Sequence, residues 1–284
     1  MQRIFYLLLL AFIATSCVKE QPAQNPNALP ETDSKDVSYG NDPQQKFDMF
    51  LPPNRNIDST KIMIMIHGGG WTSGDKSDFS SNVSGIQALL PDYAIFSINY
   101  RLATDNANKF PTQENDVKAA VEFIYSKRSG YHISDKIVLL GASAGAHLAL
   151  LQAYKNNSIV KPKAAVSFFA PTDLVALYNN PPSIATPLIL MEATGTIPSI
   201  NADIYNQSSP INFVTSQSCP TILLQGGEDP LVSPSQATSL QSLLQNNNII
   251  NQLLFYPNDG HGWTGPDLDD SYQKIVAFLK LNVH

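Results

Sequence analysis

The chain has 284 residues, two cysteines and a formal charge of −6. That length suits one large domain behind a short leader. The mild acidity argues against nucleic acid, which calls for a basic face. No CxxC or HExxH pattern points to a metal, so no cofactor is expected.

The leader comes first. Arg3 gives a short basic start, and residues 4–13 form an apolar run. That run is too short for a spanning helix but suits the core of an export signal. Ala14-Thr15-Ser16-Cys17 follows, and small residues ending in cysteine resemble a bacterial lipobox. Residues 1–16 therefore read as a lipoprotein signal, with Cys17 lipidated as the mature N-terminus. An ordinary secretory signal is the alternative, and either one exports the protein. The expected location is the bacterial cell envelope, with membrane contact through the lipid anchor. Residues 17–36 are rich in Gln, Asn, Pro, Ser and Glu and read as a flexible tether. Residues 37–284 form the folded domain. With Cys17 acylated, Cys219 has no partner for an intrachain disulfide.

Within the domain, residues 46–51 alternate as an early strand that stops at Pro52-Pro53. Residues 61–66 read as a buried strand, and so do 94–100. Pro111 opens a helix at its first position, with an apolar stripe through Val117, Ala120, Val121 and Ile124. Residues 136–140 are a strand, 144–155 a helix and 164–169 a strand. Residues 171–218 show no clear alternation and carry several prolines, so they read as a partly helical insertion over the sheet. Then come a strand at 221–224, a helix at 234–246, a strand at 252–256 and a closing helix at 269–281. Strands alternating with helices imply a mostly parallel sheet covered on both faces, an α/β class.

Two loops carry the chemistry. His67-Gly68-Gly69-Gly70-Trp71 ends one strand, and Gly141-Ala142-Ser143-Ala144-Gly145 ends another. G-x-S-x-G after a strand places a serine on a sharp strand-to-helix turn. H-G-G-G offers backbone N–H groups to a developing oxyanion. Together they indicate acyl transfer. A serine hydroxyl needs a base, and the base needs an orienting acid.

Of the five histidines, His261 fits best, because its loop follows a late strand and opens at the carboxyl end of the sheet. His147 lies one helical turn beyond Ser143 and points along the helix, as a packing or supporting residue. His67 shapes the glycine loop, His132 lies between elements and His284 is terminal. Asp229 is the preferred acid, one helix and one strand before His261. Asp173 and Asp259 are alternatives, and Glu228 points the other way. A cap or turn role before Pro230 is the competing reading of Asp229.

The runs 64–71 and 74–76, then Asn99-Tyr100-Arg101-Leu102, then 141–145 with His147-Leu148-Ala149, resemble α/β-hydrolase-fold esterases. The similar branches are the carboxylesterases, the acetyl-xylan and feruloyl esterase-like enzymes and the kynurenine formamidase-like enzymes. The resemblance spans residues 37–284. It implies Ser143 as nucleophile, His261 as base and Asp229 as its orienter. It also implies an oxyanion hole from the amides of Gly69, Gly70 and Ala144. Trp71 is shared with the formamidase-like pattern and either touches substrate or packs its loop.

The expected activity is hydrolysis of short-chain carboxylic esters, with acyl groups on carbohydrate as the substrate. Arylformamidase or small-peptidase chemistry on the same residues is the alternative. A non-catalytic surface binding lipoprotein is a second. Leu188, Ile189, Leu190 and Met191 either line a modest acyl pocket or pack in the core.

Overall fold

The computed structural model describes residues 28–284. The signal, Cys17 and most of the tether lie outside these residues. In chain order the elements begin with β1 (Thr32–Ser38), β2 (Lys46–Leu51), β3 (Lys61–Ile66) and α1 (Ser80–Leu89). Then come β4 (Tyr93–Ile98), α2 (Thr112–Tyr131), β5 (Ile137–Ala142), α3 (Ala144–Tyr154) and β6 (Ala164–Phe168). The insertion supplies α4 (Leu174–Asn179), α5 (Ala185–Thr194) and α6 (Ala202–Gln207). The chain closes with β7 (Thr221–Gly226), α7 (Ser235–Asn246), β8 (Asn251–Tyr256) and α8 (Pro266–Asn282).

The eight strands form one sheet in the order β1-β2-β4-β3-β5-β6-β7-β8. β2 pairs antiparallel with both β1 and β4, and every other pairing, from β4–β3 to β7–β8, is parallel. β3, β5 and β6 are near-continuous apolar runs because both of their faces are buried. One face packs against α2, α3 and α7 through Val117, Val121, Leu148, Leu150 and Leu240. The other packs against α1 and α8 through Val83, Ile86, Ile275 and Leu279. This is the α/β-hydrolase fold. The chain runs from β3 to β4 on one side and then returns to place β5 on the other side of β3. The loops after β3 and β5 therefore diverge at the switch point, where open α/β sheets form their crevice.

Two expectations need correction. The tether does not extend to residue 36, because Thr32–Ser38 is an edge strand. An edge strand draws its backbone bonds from one neighbour, so a polar sequence suffices. Lys35 pairs with Asp48 at 3.1 Å, and the Asp36 amide donates to the same carboxylate at 3.0 Å. The closing helix starts at Pro266 rather than 269, with proline in the first turn, where its missing N–H costs nothing. One further helix, α1, has no counterpart in the sequence reading.

Candidate active site

Ser143 joins β5 to α3 at φ 54° and ψ −121°, a conformation that L residues rarely adopt. Such a residue stores on the order of 1–3 kcal/mol, held in place by its surroundings. Its amide is anchored to the Phe168 carbonyl at 2.9 Å. The flanking glycines are steric necessities. A Cβ on Gly145 would collide with the carbonyl oxygens of Ile66 and His67, and one on Gly141 with the Gly145 carbonyl. The turn is thus pressed against the end of β3, which brings the two motif loops together.

His261 lies in the loop after β8. Its Nε2 is 2.8 Å from Ser143 Oγ, and its Nδ1 is 2.8 Å from Asp229 Oδ2. An ionised carboxylate only accepts, so Nδ1 carries the proton and Nε2 presents its lone pair to the serine hydroxyl. Asp229 is buried in the loop after β7. Its Oδ1 accepts from the amides of Leu231 at 2.8 Å and Val232 at 2.9 Å. Gln225 Nε2 approaches Oδ2 at 3.3 Å. The two loops are tied directly, with Glu228 N donating to Asp259 O and Gly227 N to Tyr256 O. The other acids have different work. Asp173 caps α4 through Ala176 N, Glu228 is exposed, and Asp259 bonds to no histidine.

The H-G-G-G loop is wound through left-handed backbone, with Gly69 at φ 97°, Gly70 at 59° and Trp71 at 63°. The Gly69 carbonyl closes the loop by accepting from Thr72 N, Ser73 N and Ser73 Oγ. Among the described residues the amides of Gly69, Gly70 and Ala144 donate to no backbone or side-chain acceptor. Trp71 is 2% exposed. It contributes one wall of the cavity over Ser143, but its indole N–H is spent on His147 Nδ1 at 3.2 Å. Its ring also stacks edge-on against Phe110 and His147.

His147 is a structural hub rather than a base. Trp71 can only donate, so His147 Nδ1 accepts and Nε2–H donates to the Ser208 carbonyl at 2.6 Å. One imidazole joins the glycine loop, the nucleophile helix and the insertion. Burial pushes its pKa down from the ordinary 6.5 to about 4. The unfolded chain takes up this proton near 6.5, the folded chain only near 4. Its contribution is therefore complete above pH 6.5 and is lost as pH falls from there toward 4. At 1.36 kcal/mol per unit the loss approaches about 3 kcal/mol. The drop in unfolding free energy from pH 7 to pH 4, measured by urea titration, should be smaller by that amount in His147→Gln. An equal drop in both proteins would remove His147 as the proton carrier.

The remaining motif residues hold this frame. His67 Nδ1 donates to the Gly68 carbonyl at 2.9 Å, and its ring stacks on Tyr100 at 4.3 Å. Tyr100 Oη donates to the His67 and Gly68 carbonyls, each at 3.1 Å. Burial opposes ionisation of Asp75, but hydrogen bonds from Asn99 and Ser77 outweigh it and hold the carboxyl at about 2. Arg101 grips buried Asp116 with two nitrogens, at 2.9 and 2.7 Å.

A cavity of about 60 Å³ opens at Ser143. That exceeds the roughly 15 Å³ needed to hold one water-sized group, so a small group fits beside the serine. Gly70, Trp71, Leu177, Ile189, Leu190 and Val232 form its walls. The four apolar residues of the insertion therefore divide. Ile189 and Leu190 face the cavity, whereas Leu188 is 61% exposed and Met191 is 39% exposed. Phe169, with its ring 4.6 Å from that of His261, belongs to no sequence motif. Its only signal is its place at the carboxyl end of β6.

The chain spans about half the length of the curated relatives it matches first. It is 27% identical over 215 residues to the probable carboxylic ester hydrolase LipM of Mycobacterium tuberculosis, covering 71% of this chain and 49% of that protein. It is 27% identical over 230 residues to the kynurenine formamidase of Meyerozyma guilliermondii, covering 76% of this chain and 82% of that protein. A truncated carbohydrate esterase from gut microbiota superimposes with a TM-score of 0.74 at 24% identity, over 88% of this chain and 96% of that one. The butyrate-bound esterase Est2 of Thermogutta terrifontis superimposes with a TM-score of 0.71 at 19% identity, over 88% and 94%. At these identities the structural likeness is one of fold. Residues 47–244, well over half of the chain, match the BD-FAE family, in a span that includes the glycine loop, Ser143 and Asp229. This chain belongs to the BD-FAE family.

Proposed function

We propose that the chain is a serine hydrolase of short-chain carboxylic esters. The observation that carries this is the unbroken Ser143–His261–Asp229 chain, with two 2.8 Å contacts, at the mouth of a cavity of about 60 Å³. His261 takes the Ser143 proton as Oγ attacks the ester carbonyl. The amides of Gly69, Gly70 and Ala144 stabilise the oxyanion, each such donor typically worth about 3 kcal/mol. His261 returns the proton to the leaving alcohol as the acyl C–O bond breaks. Water then repeats the attack and frees Ser143. The ester hydrolase among the relatives and the carbohydrate esterase among the structural neighbours support this reading. Acyl groups on carbohydrate are the substrate we assign.

The cavity limits the acyl chain. Hydrolysis of p-nitrophenyl acetate or butyrate should exceed that of the dodecanoate at least tenfold in kcat/KM. Ile189→Ala should raise the longer esters relative to acetate by about fourfold per added methylene, at ~0.8 kcal/mol each. A wild-type preference for the dodecanoate or for N-formylkynurenine would overturn the assignment.

No helix of the described residues is long and apolar enough to cross a membrane. We infer that the protein is held at the cell envelope through acylated Cys17, on the strength of the Ala14-Thr15-Ser16-Cys17 run. A single chain binds marginally and two hold stably. Mass spectrometry of the mature N-terminus should find lipid on Cys17, and an unmodified terminus would refute the anchor.

A further inference from the structure

A second recess, of about 370 Å³, opens beside His261. Phe79, Asn82, Phe169, Gly262, Trp263 and Tyr272 line it. It differs in kind from the acyl cavity, being larger, more open and walled by aromatic rings. The rings are fixed in place. Trp263 Nε1 donates to Ser271 Oγ at 2.9 Å, and its ring lies 4.7 Å from Tyr256 and 5.5 Å from Phe169. Phe169 is a non-glycine at φ 42°, a conformation that must be held in place by its neighbours. Tyr272 Oη accepts from Asn82 Nδ2 at 2.8 Å, and its own O–H is committed to no acceptor among the described residues.

The reaction says what this recess faces. An ester divides at Ser143 into an acyl part and an alcohol. The acyl part has the narrow cavity. The alcohol must lie where His261 Nε2–H can protonate it, and the recess adjoins His261 through Gly262 and the Phe169 ring. A rigid aromatic wall suits the flat apolar face of a ring, worth about tenfold in affinity. The free Tyr272 O–H and the Asn82 side chain suit hydroxyl groups on that ring.

We propose that this recess is the leaving-group subsite and that it takes a pyranose, stacked on Trp263 and hydrogen-bonded by Tyr272. The proposal rests on the esterase reading above. The test compares wild type with Trp263→Ala and Ser81→Trp. Ser81 is exposed and also lines the recess, so the second variant fills it without disturbing the core. The substrates are ethyl acetate, phenyl acetate and a monoacetylated methyl glucopyranoside.

Both variants should lose about tenfold in kcat/KM on the sugar ester, through KM. Ethyl acetate turnover and phosphonate labelling of Ser143 should stay within about twofold. An unchanged sugar ester, or an equal fall on all three substrates, would overturn the subsite. A fall confined to phenyl acetate would overturn the pyranose assignment. If wild type neither labels nor cleaves ethyl acetate, the esterase reading fails by itself. Saturation-transfer NMR with methyl glucopyranoside then reads the recess directly, and equal signals from wild type and Trp263→Ala would reject it.

Discussion

Ser143→Ala should abolish ester hydrolysis, lowering kcat by about 10⁴-fold or more while the protein still folds. No other described serine lies within hydrogen-bond reach of His261, so nothing substitutes for the lost hydroxyl. Ser143→Gly should be equally inactive but more stable. The serine sits at φ 54°, where a side chain is strained and glycine is not. Relief of that strain, less the extra freedom glycine has in the unfolded chain, leaves a gain of about 1 kcal/mol. In a domain of this size that raises Tm by roughly 2–4 °C. The paired measurement separates roles, since a residue needed only for packing would not give an inactive and stabilised variant. Activity within about tenfold of wild type in either protein would end the assignment of Ser143.

Asp229→Asn is expected to lower kcat by about 10⁴-fold with the backbone unchanged. The reason lies in how the carboxylate is held. Oδ1 accepts from two backbone amides, Leu231 and Val232, and those donors still require an oxygen. The amide NH₂ of asparagine must therefore take the place of Oδ2 and face His261 Nδ1. It would donate there, forcing the ring proton onto Nε2. The imidazole would then point a proton, not a lone pair, at Ser143 Oγ. The burst of acyl-enzyme formation in stopped-flow assays reads this step. Asp229→Ala should leave the two amides without their acceptor and cost stability as well, by about 1–3 kcal/mol. A variant Asp229→Asn that keeps a tenth of the wild-type rate would show that another group orients His261.

Much of the site was legible in the chain because its loops follow strong strands. The runs 61–66 and 221–226 are apolar enough to mark themselves, and each ends in glycines where a backbone must turn sharply. G-x-S-x-G and H-G-G-G have local causes. Gly141 and Gly145 have no room for a Cβ, and Gly69 needs a positive φ. A strand-to-helix unit between Asp229 and His261 places both at one end of the sheet, and that too is a matter of order along the chain.

What the chain could not announce depends on contacts between distant segments. The edge strand Thr32–Ser38 and the helix Ser80–Leu89 carry few apolar residues, and they form because β2 and the sheet face receive them. Residues 171–218 are partly helical as expected, but only the packed structure turns Ile189 and Leu190 inward and leaves Leu188 outside. The same holds for His147, whose bonds run to Trp71 and to Ser208, which lie 76 and 61 residues away. Most of the element order from β2 onward and the turn at Ser143 follow from local pattern, and chain order nominates Ser143, His261 and Asp229 as partners. The apolar wall beside Ser143, the aromatic recess and the contact of Asp229 with His261 Nδ1 arise only in the packed chain, because each is set by side chains from separate loops meeting above one end of the sheet.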